Sequence, residues 1–144
     1  MTEDPLLRTS DLRKTFGALV ANDGIDFELP AGEVRGLIGP NGSGKTTFFN
    51  TISGYYTPDS GSVEFDGADI TGRSPASIAR RGLGRTFQIP RLFEELTVRE
   101  NLLAVYAPGP TISADDQRRA NEILASLDID HVAEDTADEL SGGQ

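Results

Sequence analysis

The chain has 144 residues, 37% of them apolar, a net charge of −10, one histidine and no cysteine. That length suits a single domain with a core of its own, and the acidity argues against nucleic acid or anionic lipid as a bulk partner. Disulfides and thiolate metal sites are excluded, and the longest apolar run, residues 102–107, falls far short of the roughly 18 residues that span a bilayer. The acidic start Met1-Thr2-Glu3-Asp4-Pro5 does not read as a signal peptide.

Taken in chain order, the residues up to Leu29 read as strands, because Ile25, Phe27 and Leu29 alternate with Asp26 and Glu28. A compact apolar run over residues 34–38 predicts a buried central strand ending at Gly39. Helix formers after Lys45 place Phe48, Phe49 and Ile52 on one side. Asp66-Gly67 between Val63-Glu64-Phe65 and Ala68-Asp69-Ile70 predicts a two-residue hairpin. Beyond residue 70 the pattern turns helical. Ser74-Pro75 offers a cap with proline at the first helical position, and Gly82 offers a stop. Thr97-Val98-Arg99-Glu100 predicts a capping box ahead of an apolar face made by Val98, Leu102, Val105 and Tyr106. Ser113 and Asp116 repeat the device before a stripe of Ala120, Ile123, Leu124 and Leu127, with Asp115, Arg118, Arg119 and Glu122 facing solvent.

Residues 39–46, Gly-Pro-Asn-Gly-Ser-Gly-Lys-Thr, fit the phosphate-loop pattern G-x-x-x-x-G-K-[ST] at every defined position. The residue types explain the chemistry. Gly42 and Gly44 let successive backbone N–H groups turn toward one centre, and the helix beginning near Lys45 aims its positive dipole end at the same point. Lys45 is expected to reach the β and γ phosphates of a nucleoside triphosphate, and the Thr46 hydroxyl to occupy one position on Mg²⁺. Gly39, Pro40, Asn41, Ser43 and Thr47 complete the expected ATP-binding set.

Joined to Gln88 and to Leu140-Ser141-Gly142-Gly143-Gln144, this loop resembles the ATP-binding cassette (ABC) ATPases, in which a glutamine loop and an LSGGQ signature follow the phosphate loop in this order. The resemblance covers the whole chain. It implies an α/β P-loop fold of ABC ATPase type: one incomplete nucleotide-binding domain over residues 1–144. Residues 1–73 would form an antiparallel β-subdomain with the phosphate loop, and residues 74–144 the glutamine loop, helical subdomain and signature. It implies that Phe16 stacks on adenine and that Gln88 touches Mg²⁺ and the attacking water. It further implies that two such subunits, identical or not, pair head to tail, so that Ser141, Gly142, Gly143 and Gln144 contact ATP held by the partner. The family's Walker B strand, catalytic Glu and switch His follow the signature, so they are expected beyond Gln144, with part of the core sheet. His131 precedes the signature and reads as a surface or helix-end residue. Residues 1–144 by themselves are expected to bind nucleotide with negligible turnover, and to expose the apolar edge of the strand at 34–38, whose neighbours come partly from later sequence.

Within the family, Arg85-Thr86-Phe87-Gln88-Ile89-Pro90-Arg91-Leu92-Phe93, Leu96-Thr97-Val98-Arg99-Glu100-Asn101 and Phe49-Asn50-Thr51-Ile52-Ser53-Gly54 are similar to ATP-binding subunits of branched-chain amino acid importers. Urea, amide and lipopolysaccharide-export systems carry related versions. The resemblance implies transmembrane permease subunits and a periplasmic or extracellular solute-binding protein as partners, no nucleic acid, and a peripheral place on the cytoplasmic face of the cell membrane. A nucleotide-binding remnant without turnover and a soluble ABC ATPase of translation or repair are the competing readings.

Overall fold

The computed structural model describes residues 4–87, 92–106 and 111–137, and the chain forms two compact units, Met1–Arg85 and Thr86–Gln144. In the first unit, β1 (Leu7–Phe16), β2 (Leu19–Leu29), β3 (Ser60–Phe65) and β4 (Ala68–Asp69) make one antiparallel sheet in the order β2-β1-β3-β4. Helices α1 (Lys45–Ile52) and α2 (Pro75–Ala79) accompany it. The Asp66-Gly67 turn forms as the dipeptide dictates: both residues have positive φ, 49° and 67°, the geometry that matches the twist of the flanking strands.

The expected alternation in β2 is present, with Ile25, Phe27 and Leu29 half-buried and Asp26 and Glu28 exposed. The β1–β2 ladder is irregular where it nears the phosphate loop. Lys14 pairs with Asn22 and Thr15 with Val20, which leaves Ala21 as an extra residue on β2. A bulge of this kind bends a strand and re-aims its neighbours.

Leu7, Leu12, Phe48, Ile52, Val63, Ile70 and Ile78 share one core. On α1 the buried aromatic is Phe48, edge-on to Phe27 at 5.6 Å between ring centres, and Ile52 lies one turn further on. Phe49 does not join them and stays about half exposed, because consecutive helical residues point about 100° apart. Helix α2 is short, capped by Ser74 with Pro75 at its first position, as the sequence indicates.

The strand expected over residues 34–38 does not form, since the segment belongs to no strand, whereas the expected exposed apolar edge is present, with Val34 and Ile38 98% and 93% exposed. A parallel central strand draws its stability from neighbours on both edges, and among the described residues no strand runs beside this segment.

In the second unit, α3 (Val98–Tyr106), α4 (Ala114–Ser126) and a 3-10 turn at Asp130–Val132 bury Leu103, Ala120, Leu124, Val132 and Ala133. Both capping boxes form: Thr97 N–H donates to Glu100 Oε2 and Glu100 N–H to Thr97 Oγ1, and Ser113 and Asp116 exchange the same pair of bonds. The expected face of α3 is met in part. Val98 and Leu102 are half-buried, but the fully buried residue is Leu103 and Val105 is 74% exposed, while Arg99, one turn before Leu103, bonds Glu134 and Asn121; the Tyr106 side chain lies outside the described residues. On α4 Ala120 and Leu124 are buried, Ile123 is half-buried and Leu127 is exposed; Arg118 pairs with Asp115 and Glu122 on the wet side. His131 is exposed in the 3-10 turn.

Leu12 is wholly buried between sheet and helix. Leu12→Ala is expected to lower unfolding free energy by about 2–5 kcal/mol. Denaturant titration checks this, and a loss below about 1 kcal/mol would show that the core lies elsewhere.

Candidate nucleotide-binding site

The phosphate loop rests on backbone conformations that side chains oppose. Gly42 and Gly44 have φ of 83° and 87°, in the left-handed region where a Cβ is strained. At Gly44 there is also no room, since a Cβ would lie 2.1 Å from the Ala21 carbonyl oxygen and 2.8 Å from Asn22 Nδ2. Gly44 is the N-cap of α1 and offers no side-chain cap. The amides of Lys45, Thr46 and Thr47 therefore precede the first helical bond, from Phe48 N–H to Gly44 O at 2.8 Å. Uncapped amides at the positive end of a helix make an anion site.

Lys45 lies across the loop. Its Nζ donates to the carbonyls of Gly39 and Pro40 at 2.6 and 2.7 Å and to Ser43 Oγ at 3.3 Å. Neutral acceptors thus hold the ammonium among the loop residues, and an anionic oxygen there makes a stronger, charge-assisted bond. The positive-φ glycines, the uncapped helix start and this cation fit a polyphosphate. The Thr46 hydroxyl, exposed in the first turn of α1, fits a hard cation beside it. Among the described residues no three His, Asp or Glu side chains gather as a metal site.

The motif does not reveal what holds the loop against the sheet. Asn22, 5% exposed on β2, donates from Nδ2 to Gly44 O at 3.2 Å, while its Oδ1 is buried with no partner among the described residues. The signal in the sequence was a polar residue inside a strand pattern, which marks a side chain with something specific to bond.

A cleft of about 330 Å³ brings Phe16, Leu19, Val20 and Ala21 together with residues 41–47. Phe16 ends β1, is 43% exposed, meets Tyr56 edge-on at 5.2 Å, and has Lys14 Nζ 5.6 Å from its ring centre. This end of β1 is clamped by Asp59, which accepts bonds from Thr15 N–H, Thr15 Oγ1 and Lys14 Nζ. The Thr15 hydroxyl, then Lys14 and the Thr15 amide, hold the Asp59 carboxyl down at about 2 from its ordinary 3.8. The structure thus brings Phe16 and residues 39–47 into one unit. Gln88 and residues 140–144 lie outside the described residues.

The sequence profile of the ABC transporter family matches residues 22–144. The chain belongs to that family. It is 40% identical, over 96% of its length, to a probable branched-chain amino acid transport ATP-binding protein of Archaeoglobus fulgidus, of which it covers 59%. It is 46% identical, over 69% of its length and 39% of the relative's, to a high-affinity branched-chain amino acid transport ATP-binding protein of Escherichia coli. The crystal structure of a nucleotide-free ATP-binding cassette from an ABC transporter superposes with a TM-score of 0.76 at 38% identity, over 97% of this chain and 60% of that one. An ABC cassette in its ADP conformation gives a TM-score of 0.78, also at 38% identity, over 96% of this chain and 60% of that one. The chain thus spans about 60% of these archaeal relatives and solved cassettes, and the P-loop α/β class read from its sequence is that of the solved ABC cassettes.

Gly44→Ala, strained in φ and blocked by the Ala21 carbonyl, is expected to weaken ATP binding at least about tenfold. Calorimetric titration measures it, and unchanged affinity would remove Gly44 from the site. Asp59 supplies the pH test. Its folded value is depressed, so its contribution to stability is present above 3.8 and is lost as the pH falls through about 2. Asp59→Asn is expected to flatten the stability profile over that window, as read from thermal unfolding in acid.

Proposed function

We propose that this ABC family chain is the nucleotide-binding part of a transporter subunit that binds ATP with Mg²⁺ and couples its hydrolysis to import of branched-chain amino acids. The observation that carries the nucleotide reading is the loop itself: left-handed Gly42 and Gly44, the uncapped start of α1, and Lys45 held across the loop. Lys45 would bond the β and γ phosphates, Thr46 would hold Mg²⁺, and Phe16, at the mouth of the same cleft, would stack on the adenine. The resemblance adds Gln88 at the Mg²⁺ and water, and Ser141, Gly142, Gly143 and Gln144 toward ATP held by a second subunit. What the bound triphosphate supplies is a phosphoanhydride whose cleavage is driven by positioning and charge stabilisation.

The transported solute is a reading by likeness. It is supported by relatives whose names specify branched-chain amino acid transport. Permease subunits, a second ATP-binding subunit and a solute-binding protein follow from the same likeness, as does a peripheral place at the cytoplasmic face of the membrane. Among the described residues no helix is long and apolar enough to cross a membrane.

Titration calorimetry of the full chain with MgATP is expected to show saturable heat, and Lys45→Ala to lose about 100-fold in affinity, or ~3 kcal/mol. Equal binding by Lys45→Ala would overturn the nucleotide reading. For the solute, cells carrying Lys45→Ala in the native gene are expected to lose uptake of labelled leucine, isoleucine and valine; retained uptake would refute the transport assignment.

A further inference from the structure

The far end of α1 carries an interaction that the nucleotide reading does not use. The helix has no basic residue in its own last turn, although a cation is favoured there by the helix dipole. One arrives from 35 residues away. Arg85 Nη1 donates to Asn50 Oδ1 at 2.5 Å and to Ser53 Oγ at 3.2 Å, and the guanidinium lies 5.3 Å from the ring centre of Tyr55. The receiving residues are themselves fixed. The Asn50 carbonyl accepts the amides of Tyr55 and Tyr56 at 2.8 and 3.1 Å, and the Ser53 hydroxyl bonds back to Phe49 O. A guanidinium that bonds two oxygens through Nη1 while lying against an aromatic ring is held in position and orientation.

Both ends of α1 are therefore committed. Its first turn carries Lys45 and Thr46, and its last turn, about 12 Å away along an eight-residue helix, receives Arg85. Arg85 is also the last residue of the first unit, and in sequence it precedes Gln88 by three positions. We infer that Arg85 is a positioning residue that fastens the chain leading toward Gln88 to the phosphate-loop helix, so that filling the loop with nucleotide tightens residues 84–87. The inference rests on the nucleotide reading above and deepens it. The rod is short and core-bound through Phe48 and Ile52, so order imposed at its first turn reaches its last without a second hinge.

Amide hydrogen exchange on the full chain, with and without saturating MgATP, tests it without requiring turnover. In the unaltered chain, MgATP is expected to slow exchange about tenfold both within residues 45–53 and at 84–87. Arg85→Met keeps the first effect and loses the second. Asn50→Leu, which removes the nearer of the two acceptors and puts an apolar side chain in its place, does the same even should the arginine variant fail to fold, and combining the two adds no further loss because one contact is being removed. Arg85→Lys keeps the charge and a donor but not the planar group beside Tyr55, and is expected to restore protection at 84–87 only in part. MgATP binding without protection at 84–87 in the unaltered chain, or protection there that survives Asn50→Leu, overturns this inference alone. Failure of MgATP to bind, or binding undisturbed by Lys45→Ala, sinks the nucleotide reading and this inference with it.

Discussion

The site depends on one close approach, that of the β2 backbone to Gly44. A bulge at Ala21 turns its carbonyl to within 2.1 Å of where a Gly44 Cβ would stand, and Asn22 reaches from the same point to the Gly44 carbonyl. Glycine at this position is thus a requirement of space as well as of φ. With Gly44 pinned, the first turn of α1 has one direction. With Phe48 and Ile52 in the core, the helix cannot swing away from it. The uncapped amides are therefore aimed by tertiary packing, since a free eight-residue helix is too short to hold itself in water.

Lys45 gathers the loop around its charge. Its ammonium gathers the Gly39 and Pro40 carbonyls and the Ser43 hydroxyl, closing the loop around a positive charge. A phosphate oxygen competes with neutral acceptors for that charge, and the charged partner makes the shorter, stronger bond.

What was legible in the sequence was local. The glycine spacing of residues 39–46, the Asp66-Gly67 turn and both capping boxes each fit within a few residues, and each formed as read. What was illegible was pairing across distance. Asn22 meets Gly44 over 22 positions and Arg85 meets Asn50 over 35; no periodicity announces either. On α3 the burial centres on Leu103 and leaves Val105 outside, and Arg99, one turn before Leu103, meets Glu134 and Asn121 over 35 and 22 positions. Local patterns state which element forms, while long-range polar contacts decide which way it faces.

Residues 34–38 give the sharpest case of that distinction. Their apolar composition asks for burial, which is worth about 1.5–3 kcal/mol for each valine, leucine or isoleucine fully covered. Val34 and Ile38 nonetheless stand almost wholly in solvent. Arg35, the one charged residue of the stretch, bonds to Glu33 and to the Glu28 carbonyl, so the unmet demand here is apolar and lies in the segment that leads into the phosphate loop. Composition specifies that this run belongs inside a parallel sheet, and only neighbouring strands can put it there. The loop is accordingly braced from two directions here, by β2 through Gly44 and by α1 through the core. The approach through 34–38 has no such brace among the described residues, so the aim of the loop rests on those two contacts.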